Sequence, residues 1–379
     1  MNTKKYLENP YLREWRTRVL SIEGKSIVLE ESIFYPEGGG QPADRGILVF
    51  NEEEFPVADV QENGKIWISL EKEPSFSLGQ EVLQKIDFDW RYENMKAHTG
   101  EHIFSGLVKT LYGGENVGFH ISEGYFSCDY DIALTLDQVE NIERIANRKI
   151  QENKKVRCYY PDGGDFHVLD YRSKKEIDGP IRITEIDQVD YCACCGTHVI
   201  RTGEVGRLKV ISVENYKGGI RCIFKTGMNS VEDGIQGRRI LETIARAYSS
   251  NFHDLPRRLE KERKEILDLK NELKKLKEER VNYLVQSLPE DPIQYIKRGD
   301  LSMEEGRKFI NKALKNRQAL FLELEKDQFI LAANKIDVKD VFQKMGDLLR
   351  GGGSSSLVQG KILGEGVEEI FYQEVGKSK

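Results

Sequence analysis

Two short segments rich in histidine and cysteine constrain the fold of this 379-residue chain more than any other feature. The first is His98-Thr99-Gly100-Glu101-His102, and the second is Cys192-Ala193-Cys194-Cys195-Gly196-Thr197-His198. Residues four apart on a helix project from the same face, so both imidazoles of the first segment can reach one ion. A fold that brings the segments together would create a tetrahedral nitrogen and sulfur site, which suits Zn²⁺ better than Mg²⁺ or Ca²⁺.

Neither segment proves a metal site alone. In the first segment the glutamate stands third between the histidines, so the pattern differs from the HExxH motif of metalloproteases. The thiols crowded into Tyr191–Cys195 lie too close together to staple a large chain, and such clusters are more often metal-binding or redox-active. A nucleophilic Cys192 or Cys195 beside His198 is the alternative.

The composition indicates a soluble, folded and charge-rich protein. Apolar residues make up 39% and charged residues 32% of the chain, which excludes a disordered or membrane-embedded class. The length predicts two or three domains. Because no apolar run approaches the roughly 18 residues of a spanning helix and no secretory signal is evident, we expect residence in the cytoplasm and no membrane partner.

Charge is spread unevenly along the chain. Residues 1–90 hold 10 basic and 17 acidic groups, whereas residues 254–350 hold 22 basic and 19 acidic groups. The mildly acidic total argues against nucleic-acid binding along the whole surface, but the second half is the better candidate for contact with a polyanion.

The chain reads as α+β in several parts. Short branched runs separated by turn signals predict a small β-barrel in residues 1–88. Apolar spacing then predicts helices over Arg91–Tyr112 and Leu136–Asn153. Strand-like runs follow the second helix at Val156–Tyr160, Ile181–Ile186, Leu208–Val213 and Ile220–Phe224. Residues 289–379 combine helical runs with strand candidates in an α/β module.

A glycine-free stretch over residues 255–285 shows apolar residues at alternating steps of four and three. This spacing predicts one long helix with a heptad seam, interrupted by Glu262 and Arg280. Two readings stay open: the seam packs on its own protein, or it pairs two chains into a coiled coil.

Two glycine-rich segments are candidates for ligand contact. The loop Phe34–Gly46 contains Gly38-Gly39-Gly40-Gln41-Pro42, and it lacks the Lys-Ser/Thr ending of a P-loop. Its glycines permit close approach to a ligand, although composition alone favours a long hairpin turn. The segment 351–360, GGGSSSLVQG, has the composition of a linker. Its place between a helix and a strand favours an ordered loop near an anion.

Together, FYPEGGGQPADRG, HTGEH and CCGTHV in this order resemble the editing domain of alanyl-tRNA synthetases and the freestanding AlaX proteins. The resemblance covers about residues 10–228. The tail is similar to the C-terminal part of the synthetase, where a coiled-coil helix leads to a DHH-associated glycine-rich domain, as in the long AlaX form. It implies four domains: a barrel (1–88), an editing domain (89–250), a helical linker (251–288) and a tRNA-binding and dimerisation domain (289–379).

The resemblance also implies roles for individual residues. The zinc ligands would be His98, His102, Cys194 and His198. Catalytic roles fall to His98, His102 and Gln41. The substrate contacts would be Glu37, Gly39, Gly40, Gln41 and Thr197, and the tRNA contacts Arg350, Gly351, Gly352, Gly353 and Gln359. Here Cys195 stands where glycine is usual, and Glu37 stands where some relatives carry threonine.

The implied activity is ATP-independent hydrolysis of the ester in mischarged tRNA(Ala), chiefly Ser-tRNA(Ala) and also Gly-tRNA(Ala). A synthetase pocket rejects an added hydroxyl by only about a hundredfold, so a second, hydrolytic site is needed. Zinc would polarise the ester carbonyl or activate water, without a covalent intermediate. The alternatives are a non-catalytic zinc protein that binds tRNA and dimerises, and a hydrolase of small esters.

Overall fold

The computed structural model describes residues 2–161, 171–173 and 181–376. Two compact units make up the chain, Met1–Leu241 and Glu242–Lys379. The finer division into four domains stays a prediction.

A closed barrel of six strands begins the first unit. The elements of this part are β1 (Thr3–Lys4), α1 (Lys5–Glu8), β2 (Glu14–Glu23), β3 (Ser26–Leu29), β4 (Glu31–Ser32), β5 (Gly46–Phe50), β6 (Glu53–Asn63), β7 (Lys65–Leu70) and β8 (Glu81–Ile86). The barrel order is β2-β3-β7-β6-β5-β8. Along β7, Ile66, Ile68 and Leu70 are buried at every second position, as expected for a barrel wall. The predicted N-terminal barrel is therefore confirmed.

In the described residues of the first unit that follow the barrel, the structure has two antiparallel sheets and three α-helices, the last of which runs past Leu241. The elements are α2 (Phe88–Tyr112), β9 (Asn116–Ser122), β10 (Tyr125–Tyr130), α3 (Leu136–Gln151), β11 (Val156–Tyr159), β12 (Ile183–Ile186), β13 (Asp190–Ala193), β14 (Leu208–Tyr216), β15 (Gly219–Thr226) and α4 (Gly227–Ala247). One sheet has the order β14-β15-β10-β9 and the other β11-β12-β13. Both are joined by hydrophobic packing to α2 and α3.

Helix α2 begins three residues before the expected start. The Asp87 side chain accepts a hydrogen bond from the backbone N–H of Trp90 and so caps the helix. Gly113 ends it in the left-handed conformation, at φ 74°. Arg91 on its first turns is fully buried and forms an ion pair with Asp44 of the barrel segment, which fixes the helix against the barrel.

The second unit is built on one five-stranded sheet that is buried on both faces. Its elements are α5 (Leu255–Gln286), β16 (Ile293–Arg298), α6 (Met303–Ala313), β17 (Ala319–Leu324), β18 (Gln328–Ala333), α7 (Val338–Lys344), β19 (Leu349–Gly353), β20 (Leu357–Ile362) and α8 (Val367–Gly376). The strand order is β16-β17-β18-β20-β19. Along β17, Phe321 packs in one core and Leu320 in another, which explains the unbroken apolar run of this strand.

The long predicted helix is present as α5. Of its seam residues, Leu255 is buried, while Leu269, Leu273 and Leu276 are 64%, 53% and 54% exposed. In the part of the chain that the structure describes, no helix combines the length and apolarity that crossing a bilayer requires.

Candidate metal centre and its cavity

Three histidines and one cysteine converge in the first unit. His98 and His102 lie one turn apart on α2, and Cys194 and His198 follow strand β13. One potential ligand atom from each of the four lies within 4.8 Å of those of the other three. All three imidazoles are buried. The structure thus brings together the two segments that are far apart in sequence.

The distances within this cluster fit a tetrahedral ion. Cys194 Sγ lies 3.4 Å from His98 Nε2 and 3.4 Å from His198 Nε2. Zinc–nitrogen and zinc–sulfur bonds of ordinary length at a tetrahedral angle would separate such atoms by about 3.6 Å. The cluster therefore has the donor types and the size of a zinc site.

Each imidazole is oriented by a hydrogen bond at its other nitrogen. His98 Nδ1 lies 3.0 Å from Gln41 Oε1, and His102 Nδ1 lies 2.7 Å from Asp190 Oδ2. His198 Nδ1 lies 3.2 Å from the Thr99 hydroxyl. Such partners fix the tautomer and ring orientation of metal-binding histidines, and they leave the three Nε2 atoms to the cluster.

The Asp190 carboxylate is itself held by an arginine. Arg172 donates from Nε to Oδ1 at 2.6 Å and from its terminal nitrogen to Oδ2 at 2.8 Å. Burial raises the pKa of Asp190, but the charge of Arg172 and the bonds from Arg172 and His102 outweigh it and lower that pKa. Asp190 therefore stays ionised and accepts a hydrogen bond from His102 Nδ1–H.

The three neighbouring thiols have different environments. Burial raises the pKa of all three, but His98 and His198 outweigh it at Cys194 and hold that pKa well below its usual value. Burial raises the pKa of Cys192 to about 11, and burial together with Cys194 raises that of Cys195. A lowered pKa favours the thiolate that a metal requires, and it singles out Cys194. The raised values do not favour Cys192 or Cys195 as a nucleophile.

His198 is held neutral. Burial and the neighbouring His98 lower its pKa to about 3. A neutral imidazole is the form that binds a metal. At Cys194 and His198 the electrostatics therefore agree with the geometry of the cluster. At His102 burial lowers the pKa, but the charge of Glu101 and the other groups around the ring outweigh burial and raise that pKa well above its usual value.

Gln41 and Thr197 lie behind His98. The Gln41 side chain donates to the Thr197 hydroxyl at 2.8 Å and accepts from the Thr197 backbone N–H at 3.2 Å. Gln41 is fully buried. Gln41 thereby joins His98 and Thr197 in one hydrogen-bonded chain.

A cavity of about 560 Å³ opens beside the cluster. It contains the predicted substrate contacts Glu37, Gly39 and Gly40 in its wall, whereas Gln41 and Thr197 are not part of that wall. Other wall residues are Lys4, Tyr6, Tyr35, Glu62, Glu101, Val117, Phe119, Cys192 and Cys195. A site of this volume accommodates a small ligand.

Gly196 is required for the cluster to close. A Cβ atom at this position would lie 2.1 Å from His98 Cε1 and 2.4 Å from His98 Nδ1. Any side chain here would push the His98 ring away from Cys194. Steric crowding therefore explains why glycine occupies this position of CCGTH.

Sequence reasoning missed several groups at the centre. Asp190, Arg172 and Thr99 orient the imidazoles, and Glu101 lines the cavity. Thr99 and Glu101 could have been suspected from their places within HTGEH. Arg172 offered no such signal, because only the pairing of its segment with Cys192 brings it near.

The predicted tRNA contacts lie in the second unit, on the hairpin of β19 and β20. Residues 350–353 form an exposed edge strand, and the Gln359 side chain accepts a hydrogen bond from Arg307 Nε at 2.8 Å. The segment with linker-like composition is thus largely two paired strands.

Two family matches agree with this arrangement. Residues 4–90 match the family described as tRNA synthetases class II (A). Residues 181–223 match the threonyl and alanyl tRNA synthetase second additional domain, which includes the second half of the cluster.

One relative matches the chain over nearly its whole length. The alanyl-tRNA editing protein AlaX-L of Pyrococcus horikoshii is 28% identical over 97% of this chain and 96% of its own length. The chain is thus similar to an alanyl-tRNA editing protein over nearly the whole length of both sequences. The alanine–tRNA ligase of Pyrococcus abyssi is also similar, with 30% identity over 94% of this chain.

The chain spans 41% of the length of that ligase. Among solved structures, RecJ of Thermus thermophilus with Mg²⁺ gives a TM-score of 0.24 at 16% identity, over 30% of this chain and 19% of RecJ. A likeness this weak supports no argument.

Proposed function

We propose that this protein is a zinc-dependent deacylase that removes the amino acid from mischarged tRNA(Ala), chiefly Ser-tRNA(Ala) and also Gly-tRNA(Ala). The observation that carries the proposal is the group of four donors, because three of them line a cavity whose wall also includes the three glycines of the GGGQ loop. His98, His102, Cys194 and His198 would hold the zinc ion. A zinc ion bound there would act as a Lewis acid toward the ester carbonyl.

The surrounding residues prepare the site. Gln41, Asp190 and Thr99 orient the three imidazoles, so Gln41 acts through His98 rather than by touching the substrate. Tyr35 and Phe119 give the cavity apolar walls that exclude bulk water around the ester. Glu37, Gly39 and Gly40 lie where they can contact the aminoacyl end.

The second unit would bind the body of the tRNA. Arg350, Gly351, Gly352, Gly353 and Gln359 share one exposed hairpin, where a phosphate backbone can approach the glycine main chain closely. We further propose that the exposed seam of α5 pairs two copies of the chain and that the protein works in the cytoplasm. The relative named AlaX-L supports tRNA as the partner.

Deacylation assays test the proposed reaction. Zinc-loaded protein should release the amino acid from Ser-tRNA(Ala) and Gly-tRNA(Ala) and spare Ala-tRNA(Ala), and a chelator should abolish the release. Binding of tRNA without release would instead support a non-catalytic zinc protein. Equal cleavage of small seryl esters and Ser-tRNA(Ala) would indicate a general esterase.

Light scattering tests the pairing of α5. Replacing Leu269 and Leu273 by Asp should convert a dimer into a monomer, because buried charges are costly in a coiled-coil seam. Lys274→Asp, an exposed change next to the seam, serves as the control. A wild-type mass equal to that of one chain would contradict the pairing.

A further inference from the structure

Glu101 is a carboxylate that the proposed chemistry does not yet use. It lies on α2 directly before His102, is 1% exposed and forms part of the cavity wall. Its Oε2 atom is 3.6 Å from His102 Nε2. Glu101 therefore places negative charge at the end of the cavity where the four donors meet.

The side chain is held from its other oxygen. Ser105 donates to Oε1 at 2.8 Å, and Asn116 donates to the same atom at 2.6 Å. The Ser105 hydroxyl also lies 3.0 Å from the Tyr130 hydroxyl. These bonds fix the direction of the carboxylate, and a fixed charge is a precondition for selective binding.

Orienting His102 is not the task of Glu101. The Nδ1 atom of His102 is taken by Asp190, which Arg172 holds in turn. The other two carboxylates in the described wall have different surroundings: Glu62 lies 2.6 Å from Lys4, and Glu37 is exposed beside Gln61. Of these three, Glu101 is the one in contact with the donor cluster.

The spacing of an aminoacyl ester matches this placement. In an α-amino acid the amino nitrogen lies about 2.5 Å from the carbonyl carbon, given ordinary bond lengths and angle. A carbonyl directed at the cluster therefore places the α-ammonium group a few ångströms away, on the scale of the distance from His102 Nε2 to Glu101 Oε2. An ammonium group and a carboxylate form a strong, charge-assisted hydrogen bond at such a site.

We propose that Glu101 forms an ammonium subsite that binds the free α-amino group of the substrate. This subsite rests on the proposed function, because it assumes an aminoacyl ester in the cavity. It narrows the substrate class to esters of amino acids whose amine is free. N-acylated esters, including peptidyl and N-formyl esters, carry a neutral amide there and are rejected.

Calorimetry with two stable ligands tests the subsite without turnover. The first ligand is 3′-amino-3′-deoxyadenosine carrying serine through an amide, and the second is its N-acetyl derivative. Wild-type protein should bind the free amine at least about tenfold more tightly, since a hydrogen bond to a charged group contributes on that scale. Equal affinity for the two ligands, or no binding of either, overturns the subsite.

Variants assign the preference to this carboxylate. Glu101→Gln keeps the shape and should lose most of the preference, whereas Glu101→Asp keeps the charge and should retain part of it. Glu140→Gln, an exposed change on α3, should leave the preference unchanged. A full preference in folded Glu101→Gln overturns the proposal. If Glu101→Gln does not fold, loss of the preference in folded Glu101→Asp overturns it.

A parallel deacylation assay separates this proposal from the proposed function. Release from Ser-tRNA(Ala) without any preference between the two stable ligands would overturn the subsite and leave the deacylase standing. A clear preference that Glu101→Gln removes, with no release from any aminoacyl-tRNA, would support the subsite and overturn the deacylase.

Discussion

The chain contains two triple-glycine segments, and the structure uses them differently. Gly39 and Gly40 in the first have φ values of 61° and 86°, and they shape the wall of the cavity. Residues 351–353 form a regular edge strand. The same tripeptide is thus a turn beside a candidate reaction centre in one unit and part of a sheet in the other.

The reason for glycine also differs between the two segments. A Cβ on Gly40 would lie 2.3 Å from the Phe119 carbonyl oxygen, in a loop that also needs a positive φ. A Cβ on Gly351 would lie 2.1 Å from the Gln359 carbonyl oxygen of the paired strand, whereas one on Gly352 would meet nothing within 4 Å. At Gly40 and Gly351, the absence of a side chain therefore allows two backbone segments to approach closely. In the first segment this approach shapes the cavity wall, and in the second it allows β19 and β20 to pair.

The largest expected effect concerns the cluster beside the first glycine segment. Cys194→Ser should remove the bound metal and lower deacylation by more than about a hundredfold. Losing a residue that only orients a metal ligand costs about 10- to 100-fold in metal affinity or activity, and losing the ligand itself should cost more. Metal analysis and deacylation rates measure this. Cys195→Ser is the matched control and should keep the metal. Retention of metal and activity in Cys194→Ser would contradict the role of Cys194 as a required metal ligand.

The next effect concerns the glycine loop itself. Gly40→Ala should lower deacylation by roughly tenfold or more, since the clash with Phe119 adds to a backbone strain of about 1–2 kcal/mol. Gly39→Ala shares the strain but has open space, so it should cost clearly less. Rates for the two variants that differ by less than twofold would show that close approach to Phe119 is unimportant.

In the second unit we expect an effect on stability. Gly351→Ala should lower the free energy of unfolding of this unit by about 1–3 kcal/mol, as overpacking does elsewhere. Gly352→Ala, one residue away in open space, should be neutral. Thermal melts and amide exchange on β20 measure the difference. Equal stability of the two variants would contradict the role assigned to the strand pairing.

The smallest effect tests whether the second segment meets tRNA. Arg350→Ala should weaken tRNA binding severalfold and reduce the salt dependence by about one unit of slope, since one phosphate contact is lost. Titrations at several salt concentrations measure both quantities, with Lys339→Ala on α7 as a basic control. An unchanged slope for Arg350→Ala would remove the hairpin from the binding surface.

Local patterns predicted the parts of this molecule that depend on neighbours in sequence. The barrel, α3 and α5 follow apolar spacing that is visible in the chain, and α2 differs mainly at its first turn because of the Asp87 cap. The hairpin of β19 and β20 was harder to predict, because a glycine-rich composition resembles a linker until its partner strand is known. The hydrogen bond between Gln41 and Thr197 was also outside local reasoning, since it joins residues far apart in the chain.

The donor types and the placement of His98 and His102 on one helical face can be read from the chain alone, because helix periodicity is a local property. Three further features of the site arise from long-range packing: Cys194 and His198 join the two histidines, Gln41, Asp190 and Thr99 orient the rings, and Glu101 lies in the cavity wall. These contacts depend on the packing of β13 and its flanking segments against α2, since hydrogen bonds between distant segments form only when the core brings their backbones together.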